Sequence, residues 1–314
     1  MELQEFAEKL LETMTKQMEN DKEVTLSTML TTNDVKGVGL LIRKTGQYTG
    51  IRFRVEELYK NYLDSCCKAD LNEIADQLIA DYKEKMGNLE SMADQVSMNI
   101  FDFSQVKHMI YLKLINTGWS EQLLKTTPHV PYLDLSAVFY LSSPAGDILI
   151  HEFLMDMWNI TTHELYGIAL NNMVKQQPAK LFSVLEFLLD NGIILPEKMN
   201  EKFDASLYAL TNMREQYGAS VLLYPNILEM YANQYDCDWL VIPSSVHEVL
   251  LRPCYSEAEI ENVCAAITEV NESLLEADEI LSDHPYLYRR DSKELIPIKG
   301  SGDAYSQICR FCAI

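Results

Sequence analysis

The sequence predicts an α+β fold: antiparallel sheets built from strand–turn–strand–helix units and backed by helices. Three observations predict it. Short apolar stretches alternate with polar residues beside turn formers, then give way to helical spacing. That hairpin-then-helix order recurs near residues 38, 133 and 206. The chain has 314 residues, 47% hydrophobic and 23% charged, enough for a core of its own.

The elements follow in order. Leu3, Phe6, Leu10, Met14 and Met18 recur every three or four residues, so 2–19 reads as an amphipathic helix. Val38 to Ile42 is a strand, Gly46 to Gly50 a turn, and Ile51, Phe53 and Val55 alternate as the return strand. Leu58, Tyr59, Tyr62 and Leu63 then keep helical spacing. Asp70 and Glu73 start the next helix, which Gly87 is placed to end. Residues 88–104 read as a connection, 106–115 as a strand and 119–124 as a short helix. Leu133 to Leu141 and Asp147 to His151 are paired strands around Ser142–Gly146. Thr161 and Glu164 form a capping box for a helix carrying Leu165, Ile168, Ala169 and Met173. Residues 179–190 read as a helix ended by Asn191-Gly192. Ser206–Leu210 and Gly218–Tyr224 are the third strand pair, and Pro225 opens a helix with Ile227, Leu228 and Tyr231. Trp239–Ile242 and Val246–Leu251 are strands around Pro243-Ser244-Ser245. Ser256 and Glu259 cap a further helix, 287–296 closes as a hairpin, and 299–308 is Gly/Ser-rich and polar.

Charge excludes several functions. The chain holds 26 basic and 47 acidic residues, net -21. Residues 1–125 have 15 and 20, net -5, while 126–314 have 11 and 27, net -16. From Glu215 to Tyr288 the only basic residue is Arg252, against fourteen carboxylates. Such a surface repels phosphates and anionic lipid, so neither nucleic acid nor a membrane is expected as a partner. It suits a basic protein, or imitation of a nucleic acid to occupy a basic groove; plain solubility is the bland alternative. No apolar run reaches membrane-helix length, and the acidic start Met1-Glu2-Leu3-Gln4-Glu5 is unlike a signal peptide, so a cytoplasmic location is expected. The seven cysteines, odd in number, are expected as reduced thiols, and the lone Cys309–Cys312 pair near the end as incidental.

The second half carries a family look. The order runs Leu133-Asp134-Leu135-Ser136-Ala137-Val138-Phe139-Tyr140, Met157-Trp158-Asn159-Ile160-Thr161 and Glu164-Leu165-Tyr166. It continues with Gly218-Ala219-Ser220-Val221-Leu222-Leu223-Tyr224-Pro225 and Ile242-Pro243-Ser244-Ser245-Val246-His247-Glu248-Val249. It closes on Leu281-Ser282-Asp283-His284-Pro285-Tyr286-Leu287-Tyr288. This run resembles an uncharacterised bacterial family catalogued as domain of unknown function 5688. The resemblance covers about residues 100–297, the N-terminal part more loosely, and not the tail. It implies a cytoplasmic protein of gut bacteria and their mobile elements, and no activity, cofactor or partner. Three regions are expected: an N-terminal α+β region over 1–100, a family-like α+β region over 101–298 and a flexible tail over 299–314.

Chemistry-bearing motifs are sparse. Neither phosphate-binding glycine fingerprint occurs, and no H-E-x-x-H follows any of the three His-Glu pairs. No cofactor and no metal are expected. The residues nominated as a binding site are Ser244, Ser245, His247, Glu248, Asp283, His284 and Tyr286. Serine, histidine and acid could form a nucleophilic triad, and two histidines with two carboxylates could hold a metal, but no nucleophile elbow appears. A hydrogen-bonded structural cluster is the alternative. The 244–248 and 282–288 segments are expected to meet through strand pairing, with Tyr286 and Tyr288 near the strand that carries His247 and both histidine pKa values raised by carboxylates. The leading reading is a non-enzymatic protein-binding module for a basic partner, in its sharper form a nucleic-acid mimic from a mobile element. The rival is a hydrolase or metal-binding enzyme using His247, Glu248, Asp283 and His284.

Overall fold

The computed structural model describes residues 1–46, 50–65, 70–93, 100–143, 146–192, 206–254 and 260–298. Helix α1 (Leu3–Gln17) buries Phe6, Ala7, Leu10 and Met14, the apolar stripe its spacing predicts. It packs on an antiparallel meander of β1 (Lys22–Leu30), β2 (Lys36–Lys44) and β3 (Gly50–Arg54). Helices α2 (Val55–Asp64) and α3 (Leu71–Ala93) complete a core around Leu40, Ile42, Phe53, Val55 and Tyr82. Asp70 caps α3 by accepting from the Asn72 N–H at 3.0 Å.

The larger body begins with α4 (Phe103–Val106), β4 (Ile110–Asn116), α5 (Glu121–Leu124), β5 (His129–Tyr132), β6 (Leu135–Ser143) and β7 (Gly146–Leu149). Strand β6 pairs with β4 on one edge and with β5 and then β7 on the other. Helices α6 (Glu152–Trp158) and α7 (Thr162–Gln176) follow; both reciprocal bonds of the Thr161–Glu164 capping box are made. Next come β8 (Ala179–Ser183), α8 (Val184–Asp190), β9 (Tyr208–Asn212), α9 (Ile227–Tyr235), β10 (Asp238–Pro243), β11 (Val249–Cys254), α10 (Ile260–Ser273), β12 (Tyr286–Arg289) and β13 (Glu294–Pro297). Their six strands form one antiparallel sheet in the order β13-β12-β10-β11-β9-β8. The second and third sheets share a core that includes Phe139, Leu165, Trp239, Leu251 and Tyr286, while α10 covers the outer face through Val263 and Ile267 against Leu240 and Leu287. Three antiparallel sheets backed by helices make an α+β protein.

Several elements differ from the sequence expectation. Helix α3 runs through Gly87 instead of ending there, since nothing crowds that position and φ is not left-handed. Strands β1 and β5 were not expected; β5 includes Pro131, which an edge strand tolerates. Residues 179–190 divide into β8 and α8 at Ser183, whose hydroxyl accepts from the Glu186 N–H. Gly218–Leu223 is a buried 3-10 turn, not a return strand, so the third hairpin-and-helix copy is absent. Pro225 lies outside α9, before its N-cap Asn226. The closing hairpin forms, but β12 pairs with β10; the free edge of β11 is taken by β9. Residues 47–49, 144–145, the Ser256 and Glu259 cap and the tail with Cys309 and Cys312 lie outside the described residues.

Gly218 shows why the 3-10 turn needs a residue without a side chain. A Cβ there would lie 2.5 Å from the His247 carbonyl oxygen and 2.8 Å from the Asn212 nitrogen, both backbone atoms. Gly218→Ala should therefore lower stability by about 1–3 kcal/mol, as overpacking does. Chemical denaturation checks this, and an unchanged midpoint would refute the crowding.

Candidate functional site

The nominated residues fall into two groups with different partners. The first lies in the β10–β11 loop. Ser244 Oγ donates to Glu248 Oε1 at 3.3 Å, and Ser245 Oγ accepts from the His247 backbone N–H at 3.0 Å. These bonds close the loop locally. The His247 ring stacks on Tyr217, and its Nδ1 accepts from the Tyr217 N–H at 3.2 Å. Its Nε2 lies 3.7 Å from Glu279 Oε1. Both ring nitrogens thus face groups other than Ser244 and Ser245, and no serine–histidine pair of a nucleophilic triad forms here. Burial lowers the His247 pKa, outweighing Glu279, which corrects the expectation that it would rise. Burial also pushes the Glu248 carboxyl up.

Lys113 of β4 lies in the same neighbourhood, brought there by tertiary packing that no local pattern announces. Its Nζ donates to Thr32 Oγ1 at 2.9 Å and sits 4.6 Å from the centre of the Tyr217 ring. The side chain keeps some accessible surface, but protein atoms crowd the ammonium. Desolvation takes its pKa down to about 8, against the pull of Asp278 and Glu279.

The second group lines a cleft of about 600 Å³. One wall is α10, through Cys264, Ala265 and Thr268. The opposite wall is Asn116 at the end of β4 and Gly118 and Trp119 just after it, with Asp134 from the β5–β6 turn. Asp283 and His284, just before β12, complete it. The frame is held by backbone-directed bonds. Asn116 Nδ2 donates to the Leu281 carbonyl at 3.2 Å, Thr117 N–H to the Asp134 carbonyl at 3.1 Å and Asn271 Nδ2 to the Ser282 carbonyl at 3.0 Å. The fully buried Ser282 hydroxyl accepts from the His284 N–H at 3.3 Å. Asp134 is the second residue of a two-residue hairpin loop, and Leu133 before it takes a left-handed φ of 58°. That conformation is uncommon for leucine, and it delivers the Asp134 carboxylate to His284.

His284 is 7% exposed and stands between two carboxylates. Its Nδ1 is 2.7 Å from Asp283 Oδ1, and its Nε2 is 2.9 Å from Asp134 Oδ2. A carboxylate accepts only, so Nδ1 carries a proton toward Asp283. Nε2 is buried and lies 2.9 Å from Asp134 Oδ2, an ion pair when the ring carries its second proton. Tyr286 Oη donates to Asp134 Oδ1 at 3.0 Å, and burial holds that phenol protonated. Burial alone would lower the His284 pKa; hydrogen bonding and charge from Asp134 and Asp283 more than reverse it.

Asp283, His284 and Tyr286 are therefore one linked cluster, while Ser244, Ser245, His247 and Glu248 belong to another. The two loops do not pair as strands: Val246 N–H bonds the Glu279 carbonyl instead. Sequence reasoning missed Asp134, Trp119 and Asn116, which stand more than 140 residues from Asp283. The sole signal for Asp134 was its place as a turn-forming residue beside a strand. Among the described residues no group of three or more metal-ligating side chains is arranged to hold an ion, and no helix is long and apolar enough to cross a membrane.

Fold and cleft together define an α+β protein with a carboxylate-lined recess between a helix and two sheet-edge turns. The chain belongs to a family of unknown function (DUF5688), whose model matches residues 3–290 and so takes in the N-terminal region as well as the body. No curated protein and no solved structure matches it.

Two measurements check the electrostatics. NMR titration should place His284 above the ordinary value of about 6.5 and His247 below it. With a raised folded pKa, the stability from His284 is complete below about 6.5 and is lost as pH rises through the raised value. For His247 the sign is opposite: stability falls as pH drops from about 6.5 through its lowered folded value. The reverse order would refute both assignments. Lys113→Met tests the buried ammonium. Between its folded pKa of about 8 and the unfolded value near 10.5, the unfolded chain binds the extra proton, so wild type should gain stability relative to the variant as pH rises. A difference that stays flat across that range would mean an ordinary solvated lysine.

Proposed function

We propose that the protein works by binding a basic protein partner and is not an enzyme. The observation carrying this reading is the concentration of acid: net -16 over residues 126–314, with Arg252 the only basic residue between Glu215 and Tyr288. Part of this charge is used within the chain. Glu215 pairs with Lys180, Glu229 with Lys293, Asp236 with Arg290, Asp238 with Arg289, Glu276 with Lys60 and Asp278 with Arg54. Glu269 and Glu272 on α10 and Asp283 at the cleft remain on the exposed surface. Carboxylates grouped at a recess favour an ordinary protein partner over imitation of a nucleic acid backbone, which calls for charge at regular spacing along a surface. Long-range attraction of this kind speeds encounter and weakens with salt. The expected location is the cytoplasm, where such a partner is available.

Affinity capture with the full chain as bait, from an extract of the organism that encodes it, tests the reading. A basic protein should be retained at about 50 mM salt and lost at several hundred millimolar, as the screening length falls toward 3 Å. Recovery of nothing, or of a partner held equally well at both salt concentrations, would count against it.

A further inference from the structure

One lone pair ties two loops of the body together. His247 Nδ1 accepts from the Tyr217 N–H at 3.2 Å, so the neutral ring carries its proton on Nε2, toward Glu279. A second proton would have to sit on Nδ1, where an N–H already points, donor facing donor. The bond therefore exists only while His247 is neutral.

The segment it holds is one that needs holding. Glu215 and Tyr217 take left-handed φ values of 54° and 51°, which residues with side chains disfavour. Asn212 secures the start of the segment: its Oδ1 accepts from the Arg214 N–H at 2.9 Å, and its Nδ2 donates to the Gln216 carbonyl at 2.8 Å. Ser220 holds the Tyr217 carbonyl from the far side, its hydroxyl donating at 2.6 Å. None of these bonds titrates. The N–H and the ring of Tyr217 rest on His247, whose imidazole stacks at 5.4 Å between ring centres. The Tyr217 ring in turn meets Tyr140 edge-on at 4.9 Å and carries the Lys113 ammonium at 4.6 Å.

We propose that His247 and Tyr217 form an acid-released latch: protonation of His247 frees Tyr217 and uncovers Lys113 and Tyr140 on the β4–β6 face while the sheets stay folded. The latch goes beyond the partner reading and does not depend on it. The groups facing the imidazole are Tyr217 from the loop after β9, Glu279 and Asp278 from the 276–280 segment, and Lys113 from β4. Glu248 beside it is directed to Ser244, and Arg54 of β3 is paired with Asp278. Burial and Lys113 oppose a charged ring, Glu279 and Asp278 favour one, and burial prevails. A protonated His247 would also share the Tyr217 ring with the Lys113 ammonium, cation near cation. Protonation and release accordingly go together, because water reaches the imidazole once Tyr217 leaves it.

Amide hydrogen exchange on the full chain, corrected for the intrinsic effect of pH, tests the latch. Protection of the Tyr217 amide should fall about tenfold per pH unit below about 6.5 and be lost as the His247 ring resonances titrate, while the amides of β6 remain protected. His247→Asn puts Oδ1 where Nδ1 stands and does not titrate, so Tyr217 should stay protected throughout. His247→Ala should leave the Tyr217 amide unprotected already at neutral pH. A Tyr217 amide that stays protected through the titration of His247 would overturn the latch, as would the same fall in His247→Asn. Simultaneous loss of protection in β6 would mean that the whole body unfolds, and would overturn it as well. The wild-type readings decide the matter even if a variant fails to fold.

Discussion

Strand β6 is buried along eight consecutive positions, Leu135 to Ser142, and the rest of the body is arranged to keep it so. A strand buried on both faces cannot alternate apolar and polar residues, and Leu135, Ala137, Val138, Phe139 and Leu141 accordingly supply both faces. Each large side chain withdrawn from water contributes on the order of 1.5–3 kcal/mol. The register follows from that burial, because a slip of one residue would exchange the two faces and break the pairings with β4, β5 and β7 together. The β5–β6 turn inherits its position from the same register. Asp134 therefore reaches His284 because Leu135 must be inside.

What the sequence disclosed divides along the range of the interaction concerned. Helix α1, the Thr161–Glu164 cap and the β12–β13 hairpin are encoded by neighbours, and their patterns are visible in ten or fifteen residues. Gly218–Leu223 is buried at every position, and an apolar run with no polar face has no period to read. Strand β1 has the opposite problem: it is half-buried at every position but the exposed Thr28, so its side chains do not divide cleanly between faces. In the site, the local set Ser282-Asp283-His284-Tyr286 was legible as a polar turn before a strand. Its other half was not, since Asp134 and Trp119 arrive by tertiary packing and Lys113 owes its altered basicity to Thr32, Tyr217 and the surrounding protein.

The acidic bias of the C-terminal half has an internal as well as an external side. The 276–280 segment is held by the N-terminal region: Arg54 and Lys60 pair with Asp278 and Glu276, and Asn33 Nδ2 donates to the carbonyls of Ala277 and Ile280. Exposed ion pairs contribute little each, but the Asn33 bonds and the half-buried Arg54–Asp278 pair fix geometry as well as charge. Asp34 extends the junction by accepting from the Gln122 and Leu123 N–H groups at the start of α5. The uneven charge along the chain thus joins its two ends before any partner is considered.

That junction also dictates an order of events during synthesis. Asn33 and Arg54 leave the ribosome long before their partners, which lie 244, 247 and 224 residues further along the chain. At 5–20 residues per second that interval is roughly ten to fifty seconds. Throughout it the N-terminal sheet and its helices can assemble their own core, yet the surface destined for the 276–280 segment stays exposed to the cell. A ribosome stalled near residue 270 would present a folded head with an unsatisfied seam, a species for chaperones to hold and proteases to find.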